Sequence, residues 1–354
     1  MVQNHKERTR FWNHWITHCQ DCHIHPELPN TSPPESIATL EAFAARVRRG
    51  TYSNQDSVRV QTVQTALRAV GQTFELDLGR PNPCYITGSA ERYHRRLHRL
   101  LESYRRDDPP PQPKLAIPTK VLHQLLTTAA FSKQRRRKVV ATLCTIAFYF
   151  LLRVGEYTDT SRPTTGRRTI PIRLKDITFW NGEHRLSQNL PLWKLLQATE
   201  ATICIENQKN GHKNGIIHQS AHTQMDCPVK LLARHVHHLR QHTSDAATPI
   251  YTFFHNNQRH TVKNREISTA VKRATTELNL ASQGIPPERV SSHSLRAGGA
   301  MALHLANTPG HVIQKFGRWS SDTFLVYIHS QLKCFSHGLA AKMAKPHTFI
   351  NLVT

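Results

Sequence analysis

The first hundred residues carry apolar side chains at the three- and four-residue spacing of amphipathic helices. This spacing is clear over 37–47, over 60–74 and over 93–104. Glycine follows the first of these segments, where a helix commonly ends. We therefore predict that the N-terminal part of the chain is helical.

The pattern becomes mixed in the second part of the chain. Longer apolar segments predict helices at 117–130, 137–152, 228–242, 262–279, 294–307, 309–316 and 320–335. Between them, β-branched and aromatic residues predict strands at 169–180, 201–206 and 215–219. The last two strands flank Asn210-Gly211, a good hairpin signal. The expected fold is mainly α with a small antiparallel β-sheet.

A proline-rich segment divides these two parts. Residues 107–113 read D-D-P-P-P-Q-P, which cannot continue a helix and favours an extended spacer. We predict a helical domain over 1–106 and a linker over 107–116. A mixed α/β domain follows over 117–336, with a C-terminal tail over 337–354.

The net charge of the chain indicates which class of molecule it binds. The 354 residues carry 47 Lys and Arg against 24 Asp and Glu, a net charge of +23. Residues 113–354 hold 32 of the basic side chains and only 12 of the acidic ones. A polyanion is therefore the expected partner, with nucleic acid as the leading class.

Other classes of protein are disfavoured. The longest apolar run, 139–152, is too short to span a bilayer comfortably, so we expect no membrane partner. Seven cysteines without a dense framework fit an intracellular compartment, the nucleus if the source is eukaryotic. Cys19 and Cys22 lack a second ligand pair at suitable spacing, so we predict no metal site.

The segment S-H-S-L-R-A-G-G-A contains His293 and Arg296 at the start of a predicted helix. Side chains three residues apart project from the same side of a helix, and a helix N-terminus favours an anion. Arginine there can fork two phosphate oxygens, and histidine can exchange a proton. Alone, H-x-x-R is a weak signal in a chain with 24 histidines.

The segment G-R-W-S-S-D-T-F-L-V-Y-I places Tyr327 eight residues after Trp319, about two helical turns along the same face. A tyrosine hydroxyl has a pKa near 10 and needs cations and a base to act as a nucleophile. Taken alone, a tyrosine among such apolar neighbours is more simply a core aromatic.

The segment L-L-R-V-G-E-Y-T ends a buried apolar helix on Arg153, with Glu156 one turn further. A structural ion pair is the simple interpretation. An arginine carried from a core into a cleft would also hold a phosphate rigidly.

Together and in this order, the three segments resemble the tyrosine recombinase, or phage integrase, family. That family's signature is Arg, then His-x-x-Arg, then His or Trp, then Tyr. The resemblance covers roughly 113–335 and extends by position to a helical core-binding domain before it. The segment G-R-W-S-S-D-T-F-L-V-Y-I further resembles eukaryotic mobile-element recombinases of the retrotransposon or Crypton kind.

The resemblance implies a role for each matching residue. Tyr327 would attack the scissile phosphate and form a 3′-phosphotyrosyl bond. Arg153 and Arg296 would hold the non-bridging oxygens, and His293 would transfer a proton. Trp319 stands where many members have a second histidine; its indole N–H can donate a hydrogen bond but cannot accept a proton.

Two supporting roles follow from the same resemblance. Glu156 would orient the site, and a lysine on a hairpin turn would protonate the leaving oxygen. Lys209, which directly precedes the Asn-Gly turn, is the candidate, with Lys213 as the alternative. Such chemistry needs positioning and charge rather than a metal, ATP or another cofactor.

Basic side chains outside these segments are candidates for binding DNA phosphates, although a charge run is more often a solvated face. They are Arg92, Arg95, Arg96 and Arg99 on one helix and Arg135, Arg136, Arg137 and Lys138 at the start of another. His235, His237 and His238 are expected at the surface or facing DNA.

The expected activity is site-specific DNA recombination, for integration or mobile-element movement, by a homotetramer on DNA. In that assembly the tail would dock on a neighbouring subunit, or pack on its own domain. Two alternatives stay open: a type IB topoisomerase, and a non-catalytic DNA-binding derivative of a recombinase.

Overall fold

The computed structural model of the chain describes residues 2–29, 31–86, 92–110, 112, 114–160, 169–207, 213–321 and 325. It forms two compact units, 1–111 and 112–354. The division falls within the proline-rich segment. None of the helices in the described part of the chain is long and apolar enough to cross a membrane.

The first unit is helical, as its apolar spacing predicts. Its helices are α1 (Val2–Asp21), α2 (Pro33–Arg48), α3 (Val60–Leu76) and α4 (Arg95–Asp107). Their apolar faces meet in one core, in which Trp15, Phe43 and Leu67 are fully buried. Helix α1 was not predicted, although Phe11, Trp15 and Cys19 recur every four residues and are all buried.

The second unit is built around one buried helix. Helix α5 spans Lys120–Ala130, α6 spans Arg135–Tyr149 and the short α7 spans Val154–Tyr157. After four basic residues, α6 is apolar or small on almost every side and is buried from Val139 to Phe148, except at Thr142. It packs against α5 and against three helices that come later in the chain. Those later helices are α9 (Pro228–Arg240), α10 (Asn264–Glu277) and α11 (His293–Leu305).

A four-stranded antiparallel sheet lies between α7 and α9 in the chain. Its strands are β1 (Ile177–Asn181), β2 (His184–Leu186), β3 (Glu200–Asn207) and β4 (Lys213–Ser220), in the spatial order β2-β1-β3-β4. The short helix α8 (Leu192–Leu195) lies between β2 and β3 in the chain. Strands β3 and β4 form the predicted hairpin, with Asn207 opposite Lys213. The fold class is therefore the predicted one, mainly α with a small antiparallel sheet.

The strand predicted over 169–180 is too long. Only its end belongs to β1, because residues Leu174–Asp176 form a 3-10 turn. The Asp176 carboxylate accepts the backbone N–H of Arg173 at 2.9 Å, which closes a local turn in place of a strand ladder.

A second hairpin was not predicted. Strands β5 (Thr252–His255) and β6 (Gln258–Thr261) pair antiparallel. Asn256 and Asn257 between them both have a positive φ, of 49° and 58°. Two left-handed residues make a tight hairpin turn, and asparagine tolerates that conformation well, so the Asn-Asn pair was the available signal.

The expectation that His235 lies at the surface is wrong. Its ring is buried, and its Nε2 donates a hydrogen bond to the carbonyl oxygen of Ile250 at 2.6 Å. His238, one turn further, accepts a hydrogen bond from the backbone N–H of Phe254 at 3.1 Å. These histidines connect α9 to the β5–β6 hairpin.

This burial predicts a pH-dependent stability. Desolvation lowers the pKa of His235 from 6.5 to about 4. Between these pH values the unfolded state binds more protons than the folded state. The contribution of His235 to the free energy of unfolding is therefore fully present above pH 6.5 and is lost as the pH falls toward 4. Chemical denaturation measures the free energy of unfolding at pH 7 and at pH 4. The decrease between the two pH values should be about 3 kcal/mol smaller in His235→Gln than in the wild type. His184→Gln, at an exposed position of β2, should keep the wild-type slope. A slope unchanged in His235→Gln would contradict this assignment.

Candidate active site

The turn after α6 presents Arg153 at the edge of the core. Helix α6 ends because Leu151 adopts a left-handed conformation, with φ of 46°. Three residues later the chain enters α7, and the Glu156 carboxylate accepts the backbone N–H of Arg153 at 2.8 Å. Glu156 is fully buried, while the Arg153 side chain is 21% exposed. The turn thus holds a guanidinium at the boundary between core and solvent.

Two glycines bring α11 close to α6. A Cβ atom on Gly299 would lie 2.3 Å from the carbonyl oxygen of Phe148, and one on Gly298 would lie 2.4 Å from that of Ile117. Real Cβ atoms do not approach so closely, so only glycine permits this helix contact. The contact places Arg296, one turn earlier on α11, at the end of α6.

The Arg296 guanidinium is buried and bound by backbone. The residue is 3% exposed. It donates hydrogen bonds to the carbonyl oxygens of Leu151 and Gly317. Its Cζ lies 4.2 Å from the centre of the Trp319 ring, a cation–π contact that covers the guanidinium.

The segment after helix α12 (Gly310–Gly317) closes the site. Gly317 has no room for a side chain, because a Cβ there would lie 1.6 Å from Cζ3 of Trp319. Arg318 follows in the left-handed region, with φ of 59°. Its carbonyl oxygen accepts a hydrogen bond from Nη2 of Arg153 at 2.9 Å. The two signature arginines therefore bind adjacent carbonyl groups, Arg296 that of Gly317 and Arg153 that of Arg318.

Arg318 itself was not predicted as a site residue. Its Nη1 and Nη2 donate to the two carboxylate oxygens of Glu156 at 2.8 and 3.0 Å, and Nη2 also donates to the Leu151 carbonyl at 3.1 Å. A left-handed conformation costs a residue with a side chain about 1–2 kcal/mol. The only signal in the sequence was an arginine standing directly between Gly317 and Trp319.

The structure brings together four of the predicted site residues: Arg153, Glu156, Arg296 and Trp319. His293 is exposed at the first position of α11, on the same helix as Arg296. Tyr327 and Lys209 lie outside the described residues. Lys213, the alternative to Lys209, is exposed at the start of β4.

The candidate DNA-binding arginines of the first unit are at the surface. Arg92, Arg95, Arg96 and Arg99 are all exposed, the last three on α4. Arg96 forms an ion pair with Glu41.

The four basic residues at the start of α6 fall into two pairs with different surroundings. Arg135 is partly buried, and this burial lowers its pKa. Arg136 binds Glu266 at 2.6 Å and lies over the Phe253 ring. Arg137 and Lys138 are exposed at the surface of the second unit.

The central arrangement fits an oxyanion. The guanidinium groups of Arg153 and Arg296 donate to the carbonyls of the consecutive residues Arg318 and Gly317, so backbone groups help to position both. Guanidinium matches the geometry of phosphate and carboxylate oxygens, and it keeps its charge at any physiological pH. The indole of Trp319 covers Arg296 and excludes water from it.

No family model matches the chain, and no curated protein does so significantly. Among solved structures it is similar to the XerH site-specific recombinase bound to a palindromic difH substrate, in a post-cleavage complex. The two are 15% identical with a TM-score of 0.50, over 86% of this chain and 72% of that one. This similarity identifies the fold as that of the tyrosine recombinases.

Weaker similarities have TM-scores below that of XerH. The Tn1549 transposon integrase in complex with transposon right end DNA is 13% identical, with a TM-score of 0.44 over 86% of this chain and 85% of that one. A lambda integrase dimer bound to a COC′ core site is 12% identical, with a TM-score of 0.43 over 97% and 91%.

The close contact between α6 and α11 predicts that Gly299→Ala is destabilising. The added methyl group would press on the backbone of Phe148, and overpacking of this kind costs about 2 kcal/mol. Thermal and urea denaturation measure the loss. Gly155→Ala is the matched control, since its Cβ would meet only Thr169, at an ordinary 3.6 Å. Equal stabilities for the two variants would contradict the proposed packing constraint.

Proposed function

We propose that the chain is a site-specific DNA recombinase of the tyrosine type. The observation that carries the proposal is the pair of guanidinium groups of Arg153 and Arg296, which bind adjacent carbonyls, with Trp319 covering that of Arg296. The fold shared with XerH supports it. That XerH structure is one of a site-specific recombinase bound to its palindromic difH substrate.

In the proposed reaction the Tyr327 hydroxyl oxygen attacks the scissile phosphorus. A phosphotyrosyl bond to the 3′ side forms, and the bond from phosphorus to the 5′ oxygen breaks. The hydroxyl proton of Tyr327 passes to His293, and Lys209 protonates the departing 5′ oxygen. Rejoining is the reverse, with a 5′ hydroxyl attacking the phosphotyrosine. One phosphodiester replaces another, so the exchange requires no external energy source.

The described residues suit the charge that develops during this attack. Arg153 and Arg296 each offer donors to the non-bridging oxygens, and charge-assisted hydrogen bonds of this kind strengthen as negative charge grows. Trp319 would add an indole N–H donor. Because the backbone already positions both guanidinium groups, little reorganisation is needed when the phosphate enters.

DNA binding is assigned to both units. The excess of basic residues lies in the second unit, and exposed arginines of α4 would extend the contact in the first. We propose that the active form is a homotetramer on duplex DNA, with residues 337–354 docking on a neighbouring subunit. Integration or movement of a mobile element, in the nucleus of a eukaryote, is the role to which the sequence resemblance points.

The nucleophile is tested with a nicked suicide substrate. The wild-type chain should form a covalent protein–DNA adduct that resists detergent and disappears on proteolysis. Tyr327→Phe should bind the same DNA with unchanged affinity and form no adduct, because the attacking oxygen is missing. An adduct that persists in Tyr327→Phe would refute the assignment of the nucleophile.

Two further results would distinguish the alternative functions. Relaxation of a supercoiled plasmid without a special site would favour a type IB topoisomerase. Tight DNA binding by the wild type without an adduct on any substrate would favour a non-catalytic derivative.

Trp319 offers a test of the phosphate donor. Trp319→Phe keeps an aromatic ring over Arg296 but removes the indole N–H. The single-turnover rate of adduct formation should fall about 10-fold, the loss expected for one hydrogen bond to a charged group. Trp319→Ala also uncovers Arg296 and should be slower than Trp319→Phe. Equal rates for wild type and Trp319→Phe would mean that the tryptophan acts by packing alone.

A further inference from the structure

Three groups of the proposed site depend on the backbone around one residue, Arg318. Its own carbonyl binds Arg153, the preceding carbonyl of Gly317 binds Arg296, and the following residue, Trp319, covers Arg296. A change in the backbone angles of Arg318 would therefore move all three groups relative to one another.

The Arg318 side chain fixes those angles. It is 8% exposed and makes three hydrogen bonds, two to Glu156 and one to the Leu151 carbonyl. Glu156 and Leu151 belong to the turn that carries Arg153. The left-handed conformation of Arg318 is intrinsically unfavourable, so it persists only because surrounding contacts determine it. These three bonds are such contacts.

The two arginines next to Glu156 differ in how they contact it. Arg318 lies 2.8 Å and 3.0 Å from the two carboxylate oxygens, whereas Nη1 of Arg153 lies 3.5 Å from the nearer one. Glu156 is fully buried, and a buried carboxylate requires a close cationic partner. Arg318 is the closer partner by this measure.

We infer that Arg318 is a positioning residue for DNA cleavage: its fork onto Glu156 fixes the segment Gly317–Trp319 against the turn of Arg153. This inference rests on the proposed function. Arg318 is assigned a positioning role because its Nη atoms donate three hydrogen bonds that join this segment to the turn of Arg153, two to Glu156 and one to Leu151. Its effect is on the relative placement of Arg153, Arg296 and Trp319.

The variant Arg318→Gly tests the contribution of the Arg318 side chain separately from the left-handed backbone conformation. Glycine adopts the left-handed conformation without penalty, so the turn stays accessible and the variant removes only the three side-chain hydrogen bonds, two to Glu156 and one to Leu151. With a suicide substrate and saturating protein, the single-turnover rate constant of adduct formation should fall about 100-fold, the cost of misplacing catalytic groups by roughly 1 Å. DNA affinity should stay within about 2-fold, because the phosphate contacts that dominate affinity lie elsewhere.

Arg318→Lys is the milder variant, should the glycine variant fail to fold. Lysine keeps the charge but cannot form the fork, so the rate constant should fall about 10-fold. Arg240→Lys is the matched control. Arg240 forks onto Gln188 at 3.0 and 2.8 Å and contacts none of the site residues that the structure describes. Its lysine variant should cleave at the wild-type rate.

The rate constant separates positioning from a purely structural role. Loss of folded protein lowers the amplitude of adduct formation but not the rate constant of the molecules that remain folded. Glu156→Gln combined with Arg318→Gly should be no slower than the slower single variant, since both remove one interaction.

Rate constants of Arg318→Gly and Arg318→Lys equal to that of the wild type, with or without a lower amplitude, would overturn the positioning role and leave the proposed function intact. No adduct with the wild-type chain would overturn both.

Discussion

The buried guanidinium of Arg296 is the constraint around which the second unit is arranged. Removing such a charge from water costs several kcal/mol unless its donors are bound. Helix interiors have no carbonyl groups to spare, whereas helix ends do. Arg296 binds the carbonyls of Leu151, just beyond α6, and of Gly317, the last residue of α12. The candidate site therefore lies where two helices end beside the first turn of a third.

This arrangement requires unusual backbone at several neighbouring positions. Gly298 and Gly299 allow α11 to approach α6, and Gly317 makes room for the Trp319 ring. Leu151 and Arg318 both adopt left-handed conformations that residues with side chains disfavour. Strain of this kind is typical of functional sites, where precise placement of a few groups outweighs a modest loss of stability. The carbonyls that bind the arginines point inward because of it.

Periodicity predicted most of the helices and the β3–β4 hairpin, because each depends on local spacing or a local turn. What it missed depends on contacts distant in sequence or on side chains competing with the backbone. The Asp176 carboxylate closes a turn where a strand was predicted. His235 is buried and binds the carbonyl of Ile250, which lies 15 residues later in the chain. Arg153, Glu156, Arg296 and Trp319 could be predicted to share one site only through a family resemblance. Arg318 had no such signal, since its partner Glu156 is 162 residues away.

The charge of the site explains why it would be completed by a phosphate. Among its described residues the cluster contains three guanidinium groups, those of Arg153, Arg296 and Arg318, and one buried carboxylate, that of Glu156. Glu156 offsets one of these charges, and carbonyl dipoles stabilise the others only in part. An anion between Arg153 and Arg296 offsets the remainder, and does so best when it carries the most negative charge. A pentacovalent phosphorus bears more negative charge on its oxygens than the diester from which it forms. In the proposed reaction this excess of positive charge would therefore stabilise the transition state more than the bound DNA.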